Sequence, residues 1–176
     1  NRSFLCKFVS MEYPYNLVEA MSIFKDRIEA VRAMMRSKGW DVVIVTGNDP
    51  HNSEYSAARW HQVAWLSGYT GEGDLVITED RAGLWTDTRY FIQASQQLPA
   101  AGVELHKTRV PGQVLIPEWL AGHFADCDEV RVAVDGLCMT VSSVKDIQEA
   151  VGGKAHFVNA LDMLEVLWTD RPKIPQ

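Results

Sequence analysis

The amino-acid sequence predicts an α/β domain: a mixed, mainly parallel sheet that includes an antiparallel hairpin and has helices on both faces. Three observations lead there. A helical stretch runs directly into a continuous β-branched strand, Trp40 to Thr46; two apolar runs between residues 75 and 86 are joined by a short polar link; and strand and helix patterns alternate from there onward.

The first helix is expected from Ser22 to Lys38, because Phe24, Ile28, Val31 and Met35 recur at helical spacing. Ser22 is a candidate cap, and Gly39 is suited to the left-handed conformation that ends a helix. The run Val42-Val43-Ile44-Val45 then suits a strand covered on both faces. Leu75 to Thr78 and Leu84 to Thr86, linked by Glu79 to Gly83, read as a hairpin. Tyr90, Phe91, Ala94 and Leu98 space as a helix face, Val103 to His106 as a strand, and Pro117 stands early in a further helix. Val130 to Val134 is expected as a strand. Ser143 precedes a helix bearing Val144, Ile147 and Val151, which Gly152-Gly153 closes. His156 to Val158 gives a last strand, after which Asn159 is expected to cap a helix through Leu161, Leu164 and Trp168, finished before Pro172.

The chain has 176 residues, 47% of them hydrophobic. A domain of this size hides roughly 70% of the surface its unfolded chain exposes, so one domain over residues 21–176 is the expectation. Residues 1–20 differ: Pro14 stands between two tyrosines, and the patch Phe4 to Val9 is interrupted by Lys7. This reads as an N-terminal extension, too short and mixed for a signal peptide, with Met11 and Met21 as alternative natural starts. No apolar run approaches the ~18 residues a membrane span requires. The formal net charge is −6 and the basic residues are dispersed, which argues against nucleic acid as a partner. Cys6, Cys127 and Cys138 are odd in number and form no C-x-x-C pair, as expected of reduced thiols in a cytoplasmic protein.

Three segments carry a resemblance. Asp49-Pro50-His51-Asn52-Ser53-Glu54-Tyr55 is similar to a D-x-H-x-S-E-Y stretch; Trp65 to Gly71, followed by Leu84 to Ala94, is similar to an S-G-F-x-G loop and a W-T-D-x-R-Y-F-x-Q-A signature; Trp168 to Pro175 is similar to W-x-D-R-P-x-x-P. In this order they resemble the first domain of the three-domain Xaa-Pro aminopeptidases of the creatinase and prolidase superfamily. The resemblance implies a non-catalytic N-terminal domain that shapes active-site access and assembly. A similar second domain and a pita-bread catalytic domain, both absent from this chain, would follow. That catalytic domain would hold two divalent metal ions, Mn or Zn, act on peptides with proline in second position, and belong to a possible homodimer. The departures are Glu72-Gly73-Asp74 where the family has Ser-Ala-Gly, Val63 where it carries a basic residue, and Thr88 where it has glycine or serine.

Asp87 and Arg89 stand where the hairpin gives way to a helix. Asp87 is therefore expected to cap free N–H groups while Arg89 reaches a carboxylate or carbonyl. The competing reading has Arg89 or Tyr90 facing the catalytic domain. His51, Ser53 and Glu54 hold a base, a hydroxyl and a carboxylate, but no G-x-S-x-G elbow supports a nucleophilic serine. The five histidines show no metal-ligand spacing, so no catalytic, cofactor or metal residue is expected within the chain. Trp40, Trp85 and Trp168 fit core packing, whereas Trp60 and Trp65 are candidates for an exposed interface. The candidate interface or substrate-access set is thus His51, Glu54, Tyr55, Trp60, Trp65, Arg89 and Tyr90, with Asp87, Gly68 and Gly71 as structural positions. The rival function is a peptide- or protein-binding module of a catalytically dead relative, as occurs in the large subunit of the histone chaperone FACT.

Overall fold

A computed structural model describes residues 17–173, leaving the expectations for Cys6, the Phe4 to Val9 patch and residues 174–176 outside the described residues. Helix α1 spans Leu17–Lys38. It begins upstream of Ser22, which therefore lies inside the helix and not at its start, because Leu17-Val18-Glu19-Ala20 contains no residue that stops a helix. Gly39, at φ 68°, ends it, and β1 follows at Val42–Val45 with every residue buried.

The sheet has six strands in the order β4-β3-β2-β1-β5-β6. Strands β2, Asp74–Thr78, and β3, Ala82–Thr86, form the hairpin. Its turn is shorter than the sequence suggests: the Thr78 N–H donates to Arg81 O at 2.9 Å, so Ala82 and Gly83 already belong to β3. Strand β2 runs antiparallel to both β1 and β3, while β4 (Glu104–Lys107), β5 (Val130–Val134) and β6 (Ala155–Asn159) pair in parallel.

Alternation along the strands sends side chains into two cores. On one face Val43, Val45, Leu75, Ile77 and Leu84 meet Ile28, Val31 and Met35 of α1, Leu66 of α2 (Gln62–Ser67) and Ala94 of α3 (Phe91–Gln97). On the other, Val42, Ile44, Val76, Trp85 and Val132 meet Trp119 and Leu120 of α4 (Ile116–His123) and Ile147 of α5 (Val141–Ala150). Burying a Leu, Ile or Val completely contributes about 1.5–3 kcal/mol, so this two-sided sheet is the main source of stability.

Two further expectations change. Helix α5 is capped by Thr140, not Ser143: Thr140 has extended backbone, and its Oγ1 accepts the Ser143 N–H at 3.1 Å. The helix expected after Asn159 is a series of turns over residues 161–167. Asn159 remains in β6, where its side-chain oxygen accepts the Gly136 N–H at 3.0 Å, and Asp162 takes a left-handed φ of 47° that breaks helical continuity.

Candidate functional site

The carboxyl ends of β1, β3, β4 and β5 and the amino end of β2 lie along one edge of the sheet. Two clefts open there. One of about 750 Å³ is lined by Ser53, Glu54, Tyr55, Trp60, Tyr69 and Tyr90. The other, of about 400 Å³, has Ile44, Trp85, Ile116, Met139 and Ile147 along it, with Asp87 and Arg109 also present. Asn48, Glu72, Gly73 and Asp74 line both, so the clefts meet across the start of β2.

The first wall is built by Asp49. Its buried carboxylate accepts the His51 N–H at 3.0 Å and the Ser53 N–H at 2.9 Å, and the Ser53 bond foremost holds its pKa below the usual carboxylate range. Asn52 sits at φ 52° within this loop. An Asp followed by Pro50 and Asn52 is the sequence signal for such a side-chain-closed turn.

The second wall is the loop after α2. Gly68 closes that helix at φ 73°, and an added Cβ would stand 2.6 Å from the Phe24 ring. Tyr69, fully buried, donates its hydroxyl to Glu72 O at 2.9 Å, and the Thr86 hydroxyl donates to the same oxygen at 2.6 Å. Burial pushes the Tyr69 phenol up, so it stays a neutral donor. The Glu72 side chain turns outward to Arg89 at 2.8 Å, so the acidic departure from the family loop supplies Arg89 with a partner.

The sequence-expected residues divide. Glu54, Tyr55, Trp60, Gly71 and Tyr90 gather on the larger cleft, with Tyr55 87% exposed. Burial and neighbouring Glu72 push the Tyr90 phenol up. Arg89 stands exposed at the rim, and its guanidinium holds the Asp87 carboxyl well below the usual range. Asp87 accepts the Arg89 N–H at 3.0 Å, whereas the cap position of α3 is Tyr90, which makes no side-chain cap bond. Asp87 thus closes the turn before the helix and does not cap the helix itself. His51 is exposed and lines neither cleft.

Trp65 is half-buried. Its ring stacks on Trp168 at 5.2 Å, under the Arg27 guanidinium, and its carbonyl accepts from Arg27 at 2.7 Å. Trp60 is half-buried and faces the guanidinium groups of Arg59 and Arg171 at 5.8 and 5.3 Å.

These two arginines form a clasp that the sequence reading missed. Arg59 Nη1 donates to Pro172 O at 3.0 Å and Arg171 Nε to Arg59 O at 3.1 Å. Both reach Glu165, at 2.8 and 3.2 Å, and both reach Asp162, at 3.2 and 3.0 Å. Arg171 and Pro172 are thereby bound to Arg59, in the segment before α2. An arginine between two alanines and a tryptophan, in A-A-R-W, was the available signal.

Among the described residues no group of three or more His, Cys, Asp or Glu could hold a metal ion, so these side chains do not fit a dinuclear centre. Cys138 is buried and its thiol is pushed up to about 12, which leaves it unreactive.

Comparison with known proteins adds a family to this geometry. Residues 27–167 match the model of the creatinase/prolidase N-terminal domain. The chain is 31% identical over 160 residues to aminopeptidase P2 of Arabidopsis thaliana, which covers 87% of the chain and 22% of that protein. The X-prolyl aminopeptidase of Caenorhabditis elegans, described as a cytosolic enzyme with a di-nuclear active site, superposes with a TM-score of 0.72 at 27% identity over 91% of this chain and 26% of that one. The N-terminal domain of cytoplasmic peptidase PepQ from Mycobacterium tuberculosis, solved as a separate domain, gives 0.59 at 25% identity, covering 81% and 98%. The chain thus spans about a fifth to a quarter of the full-length relatives it matches.

Proposed function

Because the chain belongs to the creatinase/prolidase N-terminal domain family, we propose that it serves as the non-catalytic N-terminal domain of a metal-dependent Xaa-Pro aminopeptidase. The observation that supports this most directly is the similarity of 87% of the chain to 22% of an aminopeptidase P. The parent protein would be a cytoplasmic hydrolase with the domain order the resemblance implies: residues 21–176 first, then a second domain, then the catalytic one. Its two divalent ions, Mn or Zn, would be held by that later domain, and they would polarise the scissile carbonyl and activate water. Peptides with proline in second position would be the substrates, because a bond to proline lacks an N–H and ordinary peptidases handle it poorly.

The role of this domain in that reading is positional. The clasp of Arg59 and Arg171 fixes the direction in which the chain leaves residue 172, and therefore how a following domain is presented. Glu54, Tyr55, Trp60 and Tyr90 line a cleft open to solvent, and Arg89 stands at its rim, where the set can bound a neighbouring active site. A homodimer of the parent would add a second copy of this edge.

The test is to incubate the full-length protein and the 176-residue chain with a short X-Pro peptide and Mn²⁺, Zn²⁺ or Co²⁺. Cleavage by the full-length protein alone is expected. Cleavage by the short chain at a comparable rate would overturn the assignment, and silence from both with no metal retained would favour the binding-module reading.

A further inference from the structure

We infer that the smaller cleft binds a primary amine bearing a bulky apolar group, such as the first residue of a peptide that begins with leucine, with the ammonium on Asp74 and the apolar group over Trp85 and Ile116. The inference concerns binding to this chain and does not depend on the parent being a peptidase.

The cleft is a built cavity. Trp85 Nε1 donates to Val114 O at 3.0 Å and so ties down the segment before α4. Thr46 Oγ1 donates to Cys138 O at 2.9 Å, which holds the opposite wall against the end of β1. Between them lie Ile44, Ile116, Met139 and Ile147, an apolar lining of about the breadth that a leucine or phenylalanine side chain fills. Leu115, beside the opening, is 44% exposed, and Val114 is 47% exposed.

Asp74 gives the cavity its chemistry. One carboxylate oxygen accepts the Gly47 N–H at 3.0 Å. No lysine, arginine or histidine among the described residues pairs with it, and burial pushes its pKa up. Of the other charged groups along the cleft, Asp87 and Glu72 bind Arg89, Arg109 acts on Asp87, and Asp146 stands exposed to water on α5. A half-buried carboxylate without a counter-cation is costly, and a ligand ammonium offsets that cost through a charge-assisted hydrogen bond. The amino end of α5 does not favour an anion here, because Thr140 already occupies the cap.

Gly73 makes both clefts reachable from Asp74. An added Cβ there would stand 2.6 Å from Trp85 O, and one at Gly47 would stand 2.7 Å from Gly73 O, so the two backbones pass in direct contact. Asp74 therefore faces both sides of a low ridge. A peptide anchored by its amino terminus can continue across it toward Tyr55, Trp60 and Tyr90. Asp74 also lies at the departure from the family loop, so the site follows from this chain's own residues.

The experiment is a titration of the ¹⁵N-labelled chain with leucinamide and with N-acetyl-leucinamide, which share the side chain and differ in the ammonium. The readout is the Trp85 indole N–H resonance, assigned by its loss in Trp85→Phe. Leucinamide is expected to shift it saturably, and acetylation is expected to weaken binding at least about tenfold. Asp74→Asn, which keeps an oxygen for the Gly47 N–H, should weaken leucinamide to the same degree, while Glu149→Gln on the exposed face of α5, outside both clefts, should change it less than about twofold. Equal binding of the two ligands, no saturable shift, or a Glu149→Gln loss equal to that of Asp74→Asn would each overturn the inference. The ligand comparison needs no variant and stands even where a substitution disturbs folding.

Discussion

Arg171 and Arg89 are both held by carboxylates, yet they do different work. The Arg171 side chain is 1% exposed and shares Asp162 and Glu165 with Arg59, whereas Arg89 is 61% exposed and pairs with Asp87 and Glu72. At the rim, water screens the pair and long side chains lose entropy when held, so such contacts stabilise little. In the clasp the guanidinium groups are withdrawn from water, and removing one leaves the others without their partner. Both arginines follow an aspartate in the sequence, in Asp170-Arg171 and Asp87-Thr88-Arg89. Their difference lies in burial, and the rings of Trp60 and Trp168 face the Arg171 guanidinium at 5.3 and 5.7 Å.

The largest effect that would sharpen this contrast is expected from Arg171→Ala. Breaking a buried ion pair costs about 3–5 kcal/mol, and the half-exposed carboxylates here reduce that to about 2–4 kcal/mol. Urea denaturation measures it, and a loss below about 1 kcal/mol would erase the distinction between clasp and rim. Glu165→Gln should cost less, about 1 kcal/mol, because the amide still accepts one hydrogen bond and Asp162 remains. A double-mutant cycle with Arg59→Ala should reveal coupling between the two positions.

Intermediate in burial is His106, its side chain 18% exposed, stacked on Trp85 at 4.1 Å with Glu104 at 3.5 Å, and with Trp119 of α4 and Arg81 nearby. Burial lowers its pKa from the ordinary 6.5, against the opposing pull of Glu104. The unfolded chain then binds the proton more readily, and stability rises with pH wherever the unfolded state binds more protons. The His106 contribution is therefore complete above the ordinary value and is lost as pH falls below it toward the folded value. Thermal midpoints across that window should show this slope, and His106→Phe should flatten it.

The smallest effect is expected at the rim: Asp87→Ala and Arg89→Ala should each leave the denaturation midpoint unchanged within error. The Asp87 pKa is lowered by Arg89, so what stability the pair supplies is present above the unfolded carboxylate value and is lost as pH falls through the folded one. A midpoint change as large as that of Arg171→Ala would show that the turn before α3 is a structural keystone and would remove the contrast.

The order of elements was legible because burial leaves a periodic trace. The run Val42 to Val45 lies wholly inside, Val130 to Val134 matches its strand end to end, and Ile28, Val31 and Met35 mark the inner face of α1. Local signals failed where a distant group intervened. Asn159 has the look of a helix cap, but Gly136 claims its side chain, and Asp162 turns toward two arginines, one of which lies 103 residues earlier. For the cleft, Glu54, Tyr55 and Tyr90 were recognisable from their motifs, while Asp74 looked like an ordinary start to a strand.

By itself the sequence determined the α/β class, the hairpin, the two-sided sheet and the family, because each rests on residue type and spacing within a short window. Only the tertiary structure decided which charges are paired. Whether an arginine is a clasp or a rim residue, and whether a carboxylate such as Asp74 keeps its charge uncompensated, depends on the distance and burial of groups far apart in the chain, and Coulomb energies change severalfold between water and a protein interior.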